Sequence, residues 1–183
     1  MEYNRLIDRK AETDRITEAL KRENTQFIVI YGRRRIGKST LIKYLVNCQE
    51  QAIYFLSDSS TEAVQRSAFA KSVATVIDGF DKVIYPDWES LFRSMNNQLS
   101  QRIMVCLDEF PYLVKSSEAL PSIIQKLLNE KILKFDLVLC GSSQQLMHGY
   151  VLNRQSPLYG LANEIIKMQP IAAQYMREAM ECD

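Results

Sequence analysis

A chain of 183 residues is long enough to bury one proper core and short for two. Lysine plus arginine (23) nearly balances aspartate plus glutamate (22), and a net charge of +1 gives no general drive toward nucleic acid or acidic membranes. With 46% hydrophobic residues, no apolar run near the ~20 needed to span a bilayer and no apolar signal core at the start, a single globular domain over 1–183, placed in the cytoplasm, is the expectation.

The first strong element is an apolar, β-rich run at 27–31, of the length of a buried parallel strand. It leads into Gly32-Arg33-Arg34-Arg35-Ile36-Gly37-Lys38-Ser39-Thr40, which fits the G-x-x-x-x-G-K-[ST] phosphate-loop spacing. Each position has a chemical reason. Glycines let the backbone curl so that successive N–H groups face one anion. Lys38 brings a charge to the β- and γ-phosphates, and the Ser39 hydroxyl is a hard oxygen suited to Mg²⁺. Gly32, Arg33, Arg34, Arg35, Ile36, Gly37, Lys38, Ser39 and Thr40 are thus the candidate nucleotide-binding residues. Leu41, Ile42, Leu45 and Val46 then follow at a spacing that fits one face of a helix, whose positive dipole end would meet the phosphates.

Further strands are expected at 52–56, 103–107 and 137–140, with a weaker one at 164–168. Ser59-Ser60-Thr61-Glu62 fits a capping box for a helix carrying Val64, Ala68, Val73 and Ile77. Leu91, Met95 and Leu99 predict a helix entered near Pro86-Asp87. Pro121 suits the first turn of another, with Ile123, Ile124, Leu127 and Leu128 on it. Strands alternating with helices predict right-handed crossovers and a parallel sheet covered on both faces.

The strand at 103–107 ends in Asp108-Glu109, two carboxylates at the carboxyl end where a phosphate loop needs them. Asp108 is the candidate Mg²⁺ ligand together with Ser39, held through a water, and Glu109 the candidate base for an attacking water. As strand neighbours the two would point to opposite faces. The strand at 137–140 ends in Gly141-Ser142-Ser143-Gln144. Ser142, Ser143 or Gln144 could touch a γ-phosphate or the water, Ser143 being the candidate catalytic hydroxyl beside Glu109 and Lys38; equally, a serine there could cap the next helix. Cys106 and Cys140 sit inside strands as small hydrophobes, and with His148 the single histidine a Cys/His zinc site is hard to assemble.

Several segments together resemble the ATPase domain of the archaeal-type prokaryotic ATPases, AAA-related P-loop NTPases close to the signal-transduction (STAND) ATPases. They are Asp8-Arg9-Lys10-x-Glu12 before a helix, Tyr31 through Ser39, Leu107-Asp108-Glu109-Phe110-Pro111-Tyr112-Leu113, Cys140-Gly141-Ser142-Ser143 and Ser156-Pro157-Leu158-Tyr159-Gly160. The resemblance implies a five-stranded parallel sheet in the order 5-1-4-3-2 within a three-layer α/β sandwich. It also implies ATP with Mg²⁺, and Arg9 near the base or sugar of the nucleotide. A winged-helix segment and an effector domain beyond residue 183, a possible homo-oligomer, and DNA as a partner by resemblance alone complete the picture.

The family usually has an arginine after Tyr-Gly, where this chain has Leu161. That departure implies slow hydrolysis, or a charge borrowed from Arg154, Arg34 or another subunit. The leading expectation is an ATP-hydrolysing switch domain. The alternatives are an ATP-loaded scaffold with negligible turnover and, below it, a small-molecule kinase. A kinase would need an arginine-rich lid, whereas 148–156 contains only Arg154.

Overall fold

The computed structural model describes residues 8–170. Among them, five parallel strands form one sheet in the order β2-β3-β4-β1-β5: β1 Phe27–Tyr31, β2 Ala52–Leu56, β3 Ile103–Asp108, β4 Phe135–Gly141 and β5 Glu164–Lys167. This is the order expected, with each strand within two residues of its predicted bounds at either end. β4 lies between β3 and β1, with Val105 beside Leu137 and Ile30 beside Cys140.

Strand alternation sorts the core into two layers. Val29, Ile53, Phe55, Val105, Leu107, Leu137 and Leu139 face one side. They pack on α3 (Glu62–Val73), α4 (Trp88–Gln98), α5 (Phe110–Ser116) and α6 (Leu120–Asn129). Phe69, Trp88 and Phe92 form the middle of that layer, their ring centroids 5.6–5.8 Å apart. Ile28, Ile30, Met104, Cys106, Val138, Cys140 and Ile166 face the other side, under α1 (Lys10–Leu20) and α2 (Lys38–Asn47). Burial holds both strand thiols, Cys106 and Cys140, protonated by pushing them well above the ordinary thiol range. No helix among the described residues is long and apolar enough to cross a membrane.

Two local expectations are corrected. The capping box at 59–62 does not form: Asp58 Oδ1 accepts from the Ser60 amide at 2.8 Å, and α3 starts two residues later than that box would put it, at Glu62 behind an extended Thr61. Ile77 falls beyond the helix end at Val73. Asp87, by contrast, caps α4 as its position suggests, accepting from the Ser90 amide at 2.7 Å. The helix α5, which begins directly after Glu109, was not anticipated; Pro111 in its first turn is the one signal the sequence carries for it.

Candidate functional site

The carboxyl ends of β1, β3 and β4 open into one crevice, because β4 separates the other two. Into it runs the loop Gly32–Gly37. A Cβ on Gly32 would lie 2.6 Å from both the Ile36 Cδ1 atom and the Met168 carbonyl oxygen, so only glycine fits there. Arg35 (φ 61°) and Gly37 (φ 85°) both take left-handed conformations, which turn the backbone back on itself ahead of α2. Space above Gly37 is open. No side chain caps α2, and its first amides face that space with their positive dipole end. The hollow so formed has a volume of about 460 Å³ and is lined by Arg34, Lys38, Ser39, Glu109, Tyr112 and Ser142 among others. An uncapped helix start beside a lysine fits a bound phosphate chain.

Lys38 is 5% exposed, and its Nζ donates to the Arg33 carbonyl at 2.6 Å. Asp108 is fully buried. Its Oδ2 accepts from Ser39 Oγ at 2.7 Å and from Tyr54 Oη at 2.8 Å, while Oδ1 accepts from the Glu109 amide at 2.9 Å. Burial first, and then the neighbouring Asp108 carboxylate, push the Tyr54 phenol far above its ordinary range, so it stays a proton donor. Among the described residues no cluster of three His, Cys, Asp or Glu could hold a metal alone. A hydroxyl and one carboxylate at the edge of a phosphate hollow do fit Mg²⁺, which draws its remaining ligands from phosphate and water.

Glu109 stands outside the strand. It adopts a left-handed turn (φ 54°, ψ 41°) that costs a non-glycine residue of order 1–2 kcal/mol. The turn, rather than the strand pleat, is what separates the two carboxylates. It aims Glu109 at β4, where Oε2 accepts from Ser142 Oγ at 2.9 Å and from the Ser142 amide at 3.3 Å. Ser57 pins the turn from β2, its Oγ 2.6 Å from the Asp108 carbonyl and 2.7 Å from that of Glu109. Of the serines, therefore, Ser142 faces the carboxylate. Ser143 caps the short helix α7 (Gln144–Met147), accepting from the Leu146 amide at 3.3 Å.

A family profile described as an ATPase domain predominantly from Archaea matches residues 6–181. The chain belongs to this family. An uncharacterized protein of Methanocaldococcus jannaschii, MJECL04, is 34% identical over 174 residues, covering 94% of this chain but 37% of that one. In fold, this ATPase domain is similar to the Aeropyrum pernix ORC1 protein solved with DNA (TM-score 0.70, 18% identity, 97% of this chain and 49% of that one). It is similar too to A. pernix ORC2 solved in ADPNP–ADP complexes (0.71, 16%, 97% and 52%) and to the Thermotoga maritima RuvB branch migration motor (0.58, 16%, 96% and 50%). The chain thus spans about half the length of these structures and less of the curated relative. The AAA-type P-loop fold and membership of an ATPase family agree with the resemblance carried by the motifs.

Two residues singled out by that resemblance lie outside the lining of the hollow. Arg9 is buried, and its Nη2 donates to the Ile36 carbonyl at 2.8 Å and the Gln169 carbonyl at 2.9 Å, with Glu12 3.2 Å from Nη1. It braces the loop of this ATPase domain from behind and does not line the hollow. Leu161 lies at the wrong end of the sheet. It lines a separate cavity with Phe27 and Leu133, and two residues on, the Asn163 amide donates to the Phe27 carbonyl at 2.8 Å. That places Leu161 roughly 16 Å from the loop, the length of β1. Leu161→Arg is therefore expected to leave single-turnover hydrolysis by the isolated chain unchanged; an increase would mean that the new arginine acts on a second copy.

Tyr54 and Ser57 are the site residues that motif spacing did not single out, while Ser142 is the one of the three residues offered after β4 that meets Glu109. Tyr54 could have been found from strand alternation, since it is the polar exception on a strand ending level with Asp108.

Proposed function

We propose that this chain binds Mg–ATP in the hollow at the carboxyl edge of its sheet, hydrolyses the terminal phosphate, and uses the cycle to switch an attached effector. The observation that carries this is the convergence of Lys38, the Ser39–Asp108 pair and Glu109 on one hollow. Lys38 leaves the Arg33 carbonyl for the β- and γ-phosphate oxygens, a far stronger acceptor. Ser39 and Asp108 hold Mg²⁺, which when bound neutralises charge developing on the phosphate oxygens. Glu109 takes a proton from water as the water oxygen bonds to the γ-phosphorus. The bond from that phosphorus to the β–γ bridging oxygen breaks, leaving ADP and inorganic phosphate.

One observation favours the second reading, a nucleotide-loaded scaffold with little turnover: Glu109 is engaged by Ser142 and is not free for water. The effector is proposed to lie in length such as the relatives carry beyond the matched span. DNA, winged-helix and oligomer partners rest on family likeness.

Titration of ATP with and without Mg²⁺, alongside single-turnover hydrolysis, tests the reading. Asp108→Asn should raise the Mg²⁺ concentration needed for half-maximal ATP binding by about 10- to 100-fold, the usual cost of disturbing a metal's ligand set. Mg²⁺-free affinity should hardly change. Equal Mg²⁺ dependence in mutant and wild type would remove the metal assignment.

A further inference from the structure

We infer that Arg34 reads the terminal phosphate and passes its presence to Glu109. The inference rests on the ATP reading above and gives the charge that Leu161 does not supply a place within the chain itself. Arg34 stands on the phosphate loop, yet its side chain crosses to the opposite wall. Nε donates to Ser142 Oγ at 3.4 Å and Nη2 to Tyr112 Oη at 3.3 Å. Its neighbours on the loop are placed differently. Arg33 gives its carbonyl to Lys38, and Arg35 lines the phosphate hollow alone. Arg34 lines both that hollow and a second one of about 360 Å³, which it shares with Glu109, Tyr112, Lys115, Ser142 and Ser143. Glu109, Tyr112 and Ser142 line both hollows too, and Arg34 is the one cation in the boundary they form together.

Its present bonds are long and go to uncharged hydroxyls, so they are easily given up. A phosphate oxygen carries charge, and charge-assisted bonds are roughly twice as strong as neutral ones. The planar guanidinium also offers a rigid fork that matches two oxygens of one phosphate side by side, whereas the Lys38 ammonium acts as a point charge. A γ-phosphate in the hollow that Arg34 already lines would draw it off Ser142 and Tyr112. ADP, lacking that group, would leave it where it is.

The transfer reaches Glu109 through one atom. Ser142 Oγ accepts from Arg34 Nε and donates to Glu109 Oε2 at 2.9 Å. A hydroxyl that accepts from a cation donates more strongly, because hydrogen bonds in a chain polarise one another. With Arg34 on Ser142, the base is held. With Arg34 on the phosphate, the Ser142–Glu109 bond weakens and the carboxylate becomes available to water. The base is released by the same phosphate that its water is to attack.

The test uses equilibrium binding of ATP and ADP together with single-turnover hydrolysis, on wild type, Arg34→Gln and Arg34→Lys, with melting temperatures to confirm folding. Arg34→Gln should lower the ATP-to-ADP affinity ratio by about tenfold or more, equivalent to at least one lost charge-assisted bond. It should slow hydrolysis by about 10³-fold, the lower range for an arginine acting on a transferring phosphoryl group. Arg34→Lys should recover part of the affinity ratio and little of the rate. An unchanged ratio in Arg34→Gln, where wild type does bind ATP, would overturn the inference and leave the ATP reading standing. A wild type binding neither nucleotide would overturn both. In a double-mutant cycle with Ser142→Ala, coupling in rate supports the relay, and additivity removes it.

Discussion

Lys38→Ala is expected to abolish nucleotide binding while leaving the domain folded. Lys38 lies at the amino end of α2 and makes a single side-chain bond, to the Arg33 carbonyl, whereas the packing of α2 rests on Leu41, Ile42 and Leu45. Losing that bond costs the fold about 1 kcal/mol, because the loop carbonyl can turn to water. Losing the charge costs the ligand much more. Two charge-assisted bonds to phosphate, at about 1.5–3 kcal/mol each, correspond to roughly 10²- to 10⁴-fold in affinity. Calorimetric titration of ATP and a thermal melt on the same sample separate the two effects. Intact affinity would mean that the phosphates are held elsewhere, and a collapsed melt would make Lys38 a folding residue.

Glu109→Gln is expected to bind ATP and fail to cleave it. The amide keeps the shape of the side chain and an oxygen that can still accept from Ser142, so the left-handed turn and its Ser57 anchor need not change. It cannot take a proton at neutral pH. General-base contributions of about 10²- to 10⁴-fold set the expected loss in single-turnover rate. ATP should then persist on the protein, and melting with ATP should exceed that of wild type once wild type has turned its ATP into ADP. A mutant that cleaves at the wild-type rate would move the base to another residue. The pair is diagnostic because the losses differ in kind, binding for Lys38 and chemistry for Glu109.

The sequence carries the fold further than it carries the site. Strand 27–31 stands where its apolar run puts it, since buried parallel strands have few other ways to be written, and the edge strand 52–56 keeps its expected bounds with Ile53 and Phe55 turned inward. Phosphate-loop spacing likewise locates Gly32, Gly37, Lys38 and Ser39, because the loop is a local object whose geometry is set within eight residues. What eluded the sequence is set by contacts across the sheet. The turn at Glu109 looks like one more strand residue, and nothing local says that its carboxylate will meet Ser142, 33 residues on. Ser142 and Ser143 are chemically alike in sequence. Only the start of α7 decides that one caps and the other faces the crevice. Leu161 shows the limit of motif logic from the other direction: a missing arginine seemed to be a missing active-site group, and the strand order puts it at the far end of the sheet.

The Met168 carbonyl fills the place where Gly32 would otherwise carry a methyl group, and Arg9 clasps Ile36 and Gln169 in the same guanidinium. The loop and the chain leaving β5 are thereby wedged and tied at two points, with no slack between them. A shift of even half an ångström in the loop backbone must be taken up where the polypeptide departs from the sheet, as a hinge pin turns both leaves of a door.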